Sequence, residues 1–172
     1  LKMFLATTAI EKTWNKEVKI YFLGEWCKIY SRKHIWSKLE FEVLQYHWDN
    51  RKQYHSDYHY ISKVYEKYLI VLSNKLNKIH QCNHSIRYWR IIIGPWLRYF
   101  LDAIYDRYCS IILIKDCGKF NQTWIMKSNI SDWMPKDFNQ FYQNYVTDNW
   151  NHLIYGEIIK LIDAVPYEIL NE

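Results

Sequence analysis

Three short stretches of the chain carry polar residues whose types and spacing suit chemistry. In Gly24-Glu25-Trp26-Cys27 a glycine ends an apolar run. Glycine there allows a turn with positive φ or close approach of a ligand to the backbone, and Glu25 could bind a hydroxyl or act as a base. The alternative is a helix start, with Glu25 near the positive end of the dipole and Trp26 packed inward. His47-Trp48-Asp49 with Arg51 offers imidazole, carboxylate and guanidinium for proton transfer or anion binding. On a strand His47 and Asp49 would share a face; the alternative is a turn in which Asp49 caps and Arg51 is solvated. In "NHSIRYWR", His84, Arg87 and Arg90 recur at helical spacing, a cationic set suited to phosphate near a helix N-terminus. Its alternative is a solvated or internally paired stripe, in which Arg98 and Asp102, four apart, form one pair.

Other chemistries find less support. His80, Cys82 and His84 alternate, and His55 and His59 are four apart, but neither group has the further ligands of a metal site, and no metal is expected. Cys27 reads as a packed thiol. The sequence holds no phosphate-binding glycine loop, GxSxG or HExxH.

The elements that must position these residues begin with strands. "MFLATTA" and "EVKIYFLG" read as two strands, the second closed by Gly24, and Phe41 to Tyr46 as a third, so the polar stretches fall at strand carboxyl ends. After Asp57 the period becomes helical, with Ile61, Val64, Tyr65, Tyr68, Leu72, Leu76 and Ile79 on one long amphipathic helix ending near Cys82. Asn83 or Ser85 would cap the next helix. A break is expected at Gly94-Pro95, with Pro95 restarting a helix through Tyr108. "SIILIKDCGKF" fits a helix tail or a buried strand. A loop with Trp133 and Pro135 follows, then helices near Lys136 and Asp148, the latter an N-cap. The whole reads as a helix-rich α/β chain, one domain over residues 1–172, with short parallel strands followed by long amphipathic helices.

Composition agrees with this reading. A chain of 172 residues suffices for one core, and 9 Trp and 16 Tyr make that core aromatic. Only 4 Gly and 3 Pro leave little room for a flexible linker. The 4 cysteines lack CxxC spacing and fit reduced thiols. Arginines and an aspartate interrupt "RYWRIIIGPWLRYFLDAIY", which is therefore a buried amphipathic helix rather than a membrane span. Residues 1–100 hold 17 Lys/Arg against 8 Asp/Glu, and residues 101–172 hold 6 against 10, giving halves of +9 and −4. With interleaved aromatics, the basic half admits a second class of function, a non-catalytic module for nucleic acid or anionic lipid. The chain opens at Leu1, and "AVPYEILNE" shows no obvious closing element, so a fragment of a longer protein is expected.

"FLATTAIEKTW", "YFLGEWCKIYSRKHIW", "YHWDNR" and "NHSIRYWRIIIGPWLRYF", in this order, and more weakly "DNWNHLIYGEII", resemble the amino-terminal region of a family of transferases linked to bacterial surface carbohydrate biosynthesis. The resemblance implies a GT-B-like enzyme of two Rossmann-like halves, of which this chain is the amino-terminal, acceptor-side one. A nucleotide-activated donor would bind in a carboxy-terminal half, and this portion would carry no cofactor. Implied partners are that second half, a carbohydrate or lipid-linked acceptor and peripheral contact with the inner membrane face from the cytoplasm; nucleic acid is not among them. Gly24, Glu25, His47, Asp49, His84, Arg87 and Arg90 fall at motif positions. Glu25, His47 and Asp49 are the candidate bases, and Gly24, Arg51, His84, Arg87 and Arg90 the candidate substrate or phosphate contacts.

Overall fold

The structure, a computed structural model, describes residues 3–129, 131 and 134–171; the Trp133 loop position lies outside them. The chain divides into two compact units, one comprising residues up to His47 together with those from Arg107 onward, the other Trp48–Asp106.

The first unit is built on five parallel strands: β1 (Phe4–Ala6), β2 (Ile20–Phe22), β3 (Phe41–Val43), β4 (Gln122–Met126) and β5 (Tyr167–Leu170), in the order β3-β2-β1-β4-β5. Register pairs Phe4 with Ile20 and Gln122, and Leu5 with Tyr21 and Thr123. Alternate residues therefore face opposite sides. Phe4, Ala6, Ile20 and Phe22 pack with Trp14 and Cys27 on one side, edge-on aromatic pairs such as Trp14–Phe22 (4.9 Å) filling the space. Thr123 and Ile125 lie on the other, where α5 (Asp148–Ile162) approaches closely: a Cβ at Gly156 would stand 2.7 Å from Ile125 Cγ2. α1 (Lys33–Trp36) is a single turn before β3, and α4 (Phe138–Asn144) precedes α5. The chain runs from β1 to β2 on one side and returns from β3 to β4 on the other, so the strand order reverses between β1 and β4. In open α/β sheets ligands bind at such a reversal, outside the strands' carboxyl ends. The architecture is the helix-rich, Rossmann-like α/β arrangement expected from sequence, with β1, β2 and β3 inside the anticipated segments.

β4 has no counterpart in the sequence reading, and β5 corrects the expectation that the chain's end lacks a closing element. Thr147, not Asp148, caps α5 by accepting from Trp150 N; Asp148 sits one residue inside and is engaged elsewhere.

The second unit is a helical pair. α2 (Arg51–Ile79) starts earlier than expected because Asn50, not Asp49, caps it, accepting from the Lys52 and Gln53 amides. Ser85 Oγ accepts from Tyr88 N at the start of α3 (Ile86–Cys117), as anticipated. Residues of α3 from Arg107 on belong to the sheet unit. α3 is continuous through Pro95, so the expected break at Gly94-Pro95 is not there. Proline forfeits one bond to the Ile91 carbonyl, and both residues lie on the exposed side, where water can satisfy it. "SIILIKDCGKF" resolves as the helix tail, ended by Gly118 at φ 63°. Among the described residues no helix is long and apolar enough to cross a membrane.

Candidate functional site at the carboxyl edge of the sheet

The loop leaving β1, Thr7-Thr8-Ala9, emerges at the strand-order reversal. Its three carbonyls each accept a side-chain donor: Trp26 Nε1 reaches Thr7 O (2.9 Å), Trp14 Nε1 reaches Thr8 O (2.9 Å) and Arg32 Nη1 reaches Ala9 O (3.0 Å). The Ala9 amide donates to Asp148 Oδ1 (3.2 Å). All three residues are buried. A loop held from this many directions is preorganised, since its polar groups are satisfied before any ligand arrives.

His152 completes the clamp. Its Nε2 accepts from the Met126 amide at the end of β4 (3.1 Å), which assigns the ring proton to Nδ1. Nδ1 then faces Thr7 Oγ1 (3.3 Å) and Thr8 Oγ1 (3.4 Å). The imidazole thus ties the ends of β1 and β4 together across the reversal. Burial pushes its pKa down to about 4, helped by the charge of Lys12, so the ring is neutral at physiological pH.

Gly24, Glu25 and His47 belong to the sheet unit. Gly24 is extended (φ −172°), not at positive φ as its position after β2 suggested. Its missing side chain matters for another reason: a Cβ would fall 2.2 Å from the Trp26 ring, which folds back over the glycine. That ring lies parallel to Tyr155 (interplanar 6°). Glu25 opens a 3-10 turn (Glu25–Cys27), largely exposed and bridged to Lys28 (2.8 Å), close to the helix-start alternative. Cys27 is fully buried and burial raises its pKa to about 12, which fits a packed thiol rather than a nucleophile.

His47 stands after β3, in a 3-10 turn (His47–Asp49), so the strand alternation that would align His47 with Asp49 does not apply. Its Nδ1 is 3.4 Å from Ser110 Oγ on the tail of α3. Both residues line a cavity of about 140 Å³, walled also by Leu23, Leu44, Ile114 and Phe120.

Asp49, Arg51, His84, Arg87 and Arg90 belong to the helical unit. Asp49 and Arg51 are exposed, Arg51 in the first turn of α2. His84 precedes α3 rather than sharing its surface, stacked on Tyr88 (4.0 Å) while its backbone bonds Asn77. Arg87 is exposed. Arg90 makes a bidentate pair with Glu66 (2.6 and 2.7 Å) that raises its own pKa and lowers that of Glu66. Arg90 is thus engaged by a carboxylate, as in the internally paired alternative to the phosphate-binding set. The Arg98–Asp102 pair forms as expected (2.9 Å). His55 and His59 approach at 3.3 Å between Nε2 atoms, and among the described residues no group of three or more His, Cys, Asp or Glu is placed to hold a metal.

The residues absent from the sequence-derived site are Thr7, Thr8, Trp14, Trp26 as a donor, Arg32, Asp148 and His152. Their signal was present: each lies inside a segment that carried the family resemblance, "FLATTAIEKTW", "YFLGEWCKIYSRKHIW" or "DNWNHLIYGEII". The segments' long aromatic character reflects a shared task, holding the β1 loop. The comparison with known families matches the LIC12162 family transferase over residues 3–171, beyond the segments that carried the resemblance. No curated protein and no solved structure matches the chain. With nearly every residue inside that match, and with the segments that clamp the β1 loop distributed along it, the chain belongs to the LIC12162 transferase family.

Proposed function

We propose that this chain is the acceptor-side, Rossmann-like half of a GT-B-type glycosyl- or glycerophospho-transferase in cell-surface polysaccharide biosynthesis. The observation that carries the reading is the clamped Thr7–Ala9 loop at the β1/β4 reversal, with the His47 cavity at the neighbouring strand ends. A nucleotide-activated donor would be held by a carboxy-terminal half, and the acceptor would be carbohydrate or lipid-linked. The helical unit holds 9 Lys/Arg against 5 Asp/Glu and exposes Tyr88, Ile91, Ile92 and Tyr99 along α3, features that suit peripheral contact with an anionic membrane from the cytoplasmic side.

In the reaction, an acceptor hydroxyl oxygen forms a bond to the donor's sugar carbon or phosphorus. The bond from that atom to the nucleotide's phosphate oxygen breaks, its electron pair leaving with the nucleotide, and the hydroxyl proton passes to a base. Of Glu25, His47 and Asp49, His47 suits the role best. It lines a cavity at a strand end, whereas Glu25 is bridged to Lys28 and Asp49 is exposed beside the Asn50 cap. Replacing a general base costs on the order of 10²- to 10⁴-fold. In the full-length enzyme supplied with nucleotide-activated sugar and glycerol donors, His47→Ala should lose transfer on that scale, with Glu25→Ala and Asp49→Ala close to wild type. Near-wild-type transfer by His47→Ala would remove the base assignment. Absence of transfer from any such donor by the wild-type enzyme would remove the reaction class.

A further inference from the structure

The cavity beside His47 has a chemistry that selects among acceptors. Leu23 and Leu44 lie at the ends of β2 and β3, Leu113 and Ile114 on the tail of α3, and Phe120 closes it. Neither lysine nor arginine lines it. A phosphate there would lack a counter-charge, and a sugar ring would press hydroxyls against leucine and phenylalanine at the cost of their hydrogen bonds with water. At about 140 Å³ it has room for a guest about the size of benzene. Its polar lining comprises Gln45, Tyr46, His47 and Ser110, with His47 Nδ1 and Ser110 Oγ 3.4 Å apart.

We infer that this cavity binds an apolar group of about benzene size belonging to a lipid-linked acceptor, with the acceptor's polar end directed towards His47. The shape and lining carry the binding itself; assigning the guest to the acceptor rests on the transferase reading above. The acceptor is then lipid-linked rather than a free sugar, because the apolar wall contributes binding only to a molecule with a hydrocarbon portion.

Cys117 provides a reporter, since it lines the cavity and is exposed, whereas Cys27 is buried and Cys82 and Cys109 are half-buried. The experiment follows Cys117 alkylation by iodoacetamide, read at that residue by peptide mass spectrometry, with 3-methyl-2-buten-1-ol or glucose added. The expected result is a several-fold slowing by the prenyl alcohol at saturation and none by glucose, with the slowing lost in Leu113→Phe and Leu44→Phe, either of which fills the space. No slowing by the prenyl alcohol, equal slowing by glucose, or full slowing in both filled variants overturns the inference. The wild-type comparison of the two probes does not depend on either variant folding. Transfer assays on the full-length enzyme separate the two readings. Prenyl alcohol protection without transfer to a prenyl-linked acceptor overturns the acceptor role and leaves the cavity assignment, while transfer without protection does the reverse.

Discussion

The sheet unit buries more of its aromatic residues than the helical unit does. In the sheet unit Phe4, Phe22, Trp14 and Trp150 are buried, and the half-buried Trp26 gives its indole N–H to the backbone of the loop leaving β1. In the helical unit Tyr54, Tyr58, Tyr60, Tyr68, Tyr88 and Tyr99 stand exposed, and along the 29 residues of α2 only Asp57, Ile61, Leu69 and Ser73 are buried. The helical pair buries Ile61, Leu69, Trp89, Leu97 and Ala103 and adds two polar hubs to that apolar packing. Asp57 accepts from Trp48 Nε1, Gln53 Nε2 and Tyr105 OH, and Asn77 accepts from Trp89 Nε1 and the His84 amide. Abundant aromatic composition therefore does not by itself mean a large core, since many of the helical unit's tyrosines lie at the surface.

The contrast can be broken most sharply at Phe22, fully buried between Trp14 and Phe41. Phe22→Ala should cost about 3–5 kcal/mol, read from the denaturant midpoint of the sheet unit. A loss under 1 kcal/mol would mean that the aromatic layer is loosely packed.

pH should act on the sheet unit through one buried imidazole. His152 is held neutral with its pKa near 4, while the unfolded chain takes up that proton near 6.5, so the unfolded state binds more protons between those values. Stability of the sheet unit is thus complete above pH 6.5 and declines as pH falls towards 4, by on the order of 3 kcal/mol. Urea titrations at pH 7 and pH 4.5 on wild type and His152→Gln test this, and an unchanged slope in the variant would assign the pH dependence to other groups.

Asp57→Ala should destabilise the helical pair by about 1–3 kcal/mol, because three donors lose one buried acceptor. Helical circular dichroism would lose its upper transition, and a silent substitution would show that Asp57 is not a hub. Gly24→Ala should cost about 1–3 kcal/mol as the added methyl displaces the Trp26 ring. Trp26 fluorescence would report the displacement, and an unaltered spectrum would refute the close packing. The smallest effect belongs to Glu66→Gln, since its Arg90 partner is at the surface; no resolvable change in melting temperature is expected, and the pair should matter less still in high salt.

What the sequence disclosed follows the range of the interactions. β1, β2 and β3 announce themselves through apolar runs, and α2 and α3 through helical spacing, because neighbours along the chain determine both patterns. β4 opens on the polar Gln122 and Thr123, and β5 carries exposed Tyr167, Glu168 and Ile169 on an edge strand, so continuous hydrophobicity marks neither. Pro95 misleads because local sterics predict a stop while the rest of a 32-residue helix outweighs one lost bond. For the site, local reasoning selected charged and titratable side chains. The residues that shape the edge are instead threonines, tryptophans and a buried histidine whose partners lie up to 145 positions away. Such pairings exist only once the sheet is assembled.

The pairing of Phe4 with Gln122 across the centre of the sheet has a consequence for biosynthesis. While the ribosome is still extending the helical pair, β1 can join β2 and β3 but has its other edge open, because β4 has not been made. Contacts this distant in sequence form slowly compared with helices. The helical pair is thus made before the sheet is complete. The β1 loop cannot reach its final geometry until Asp148 and His152 have left the exit tunnel, so its bracing comes from the part of the chain made after the helical pair.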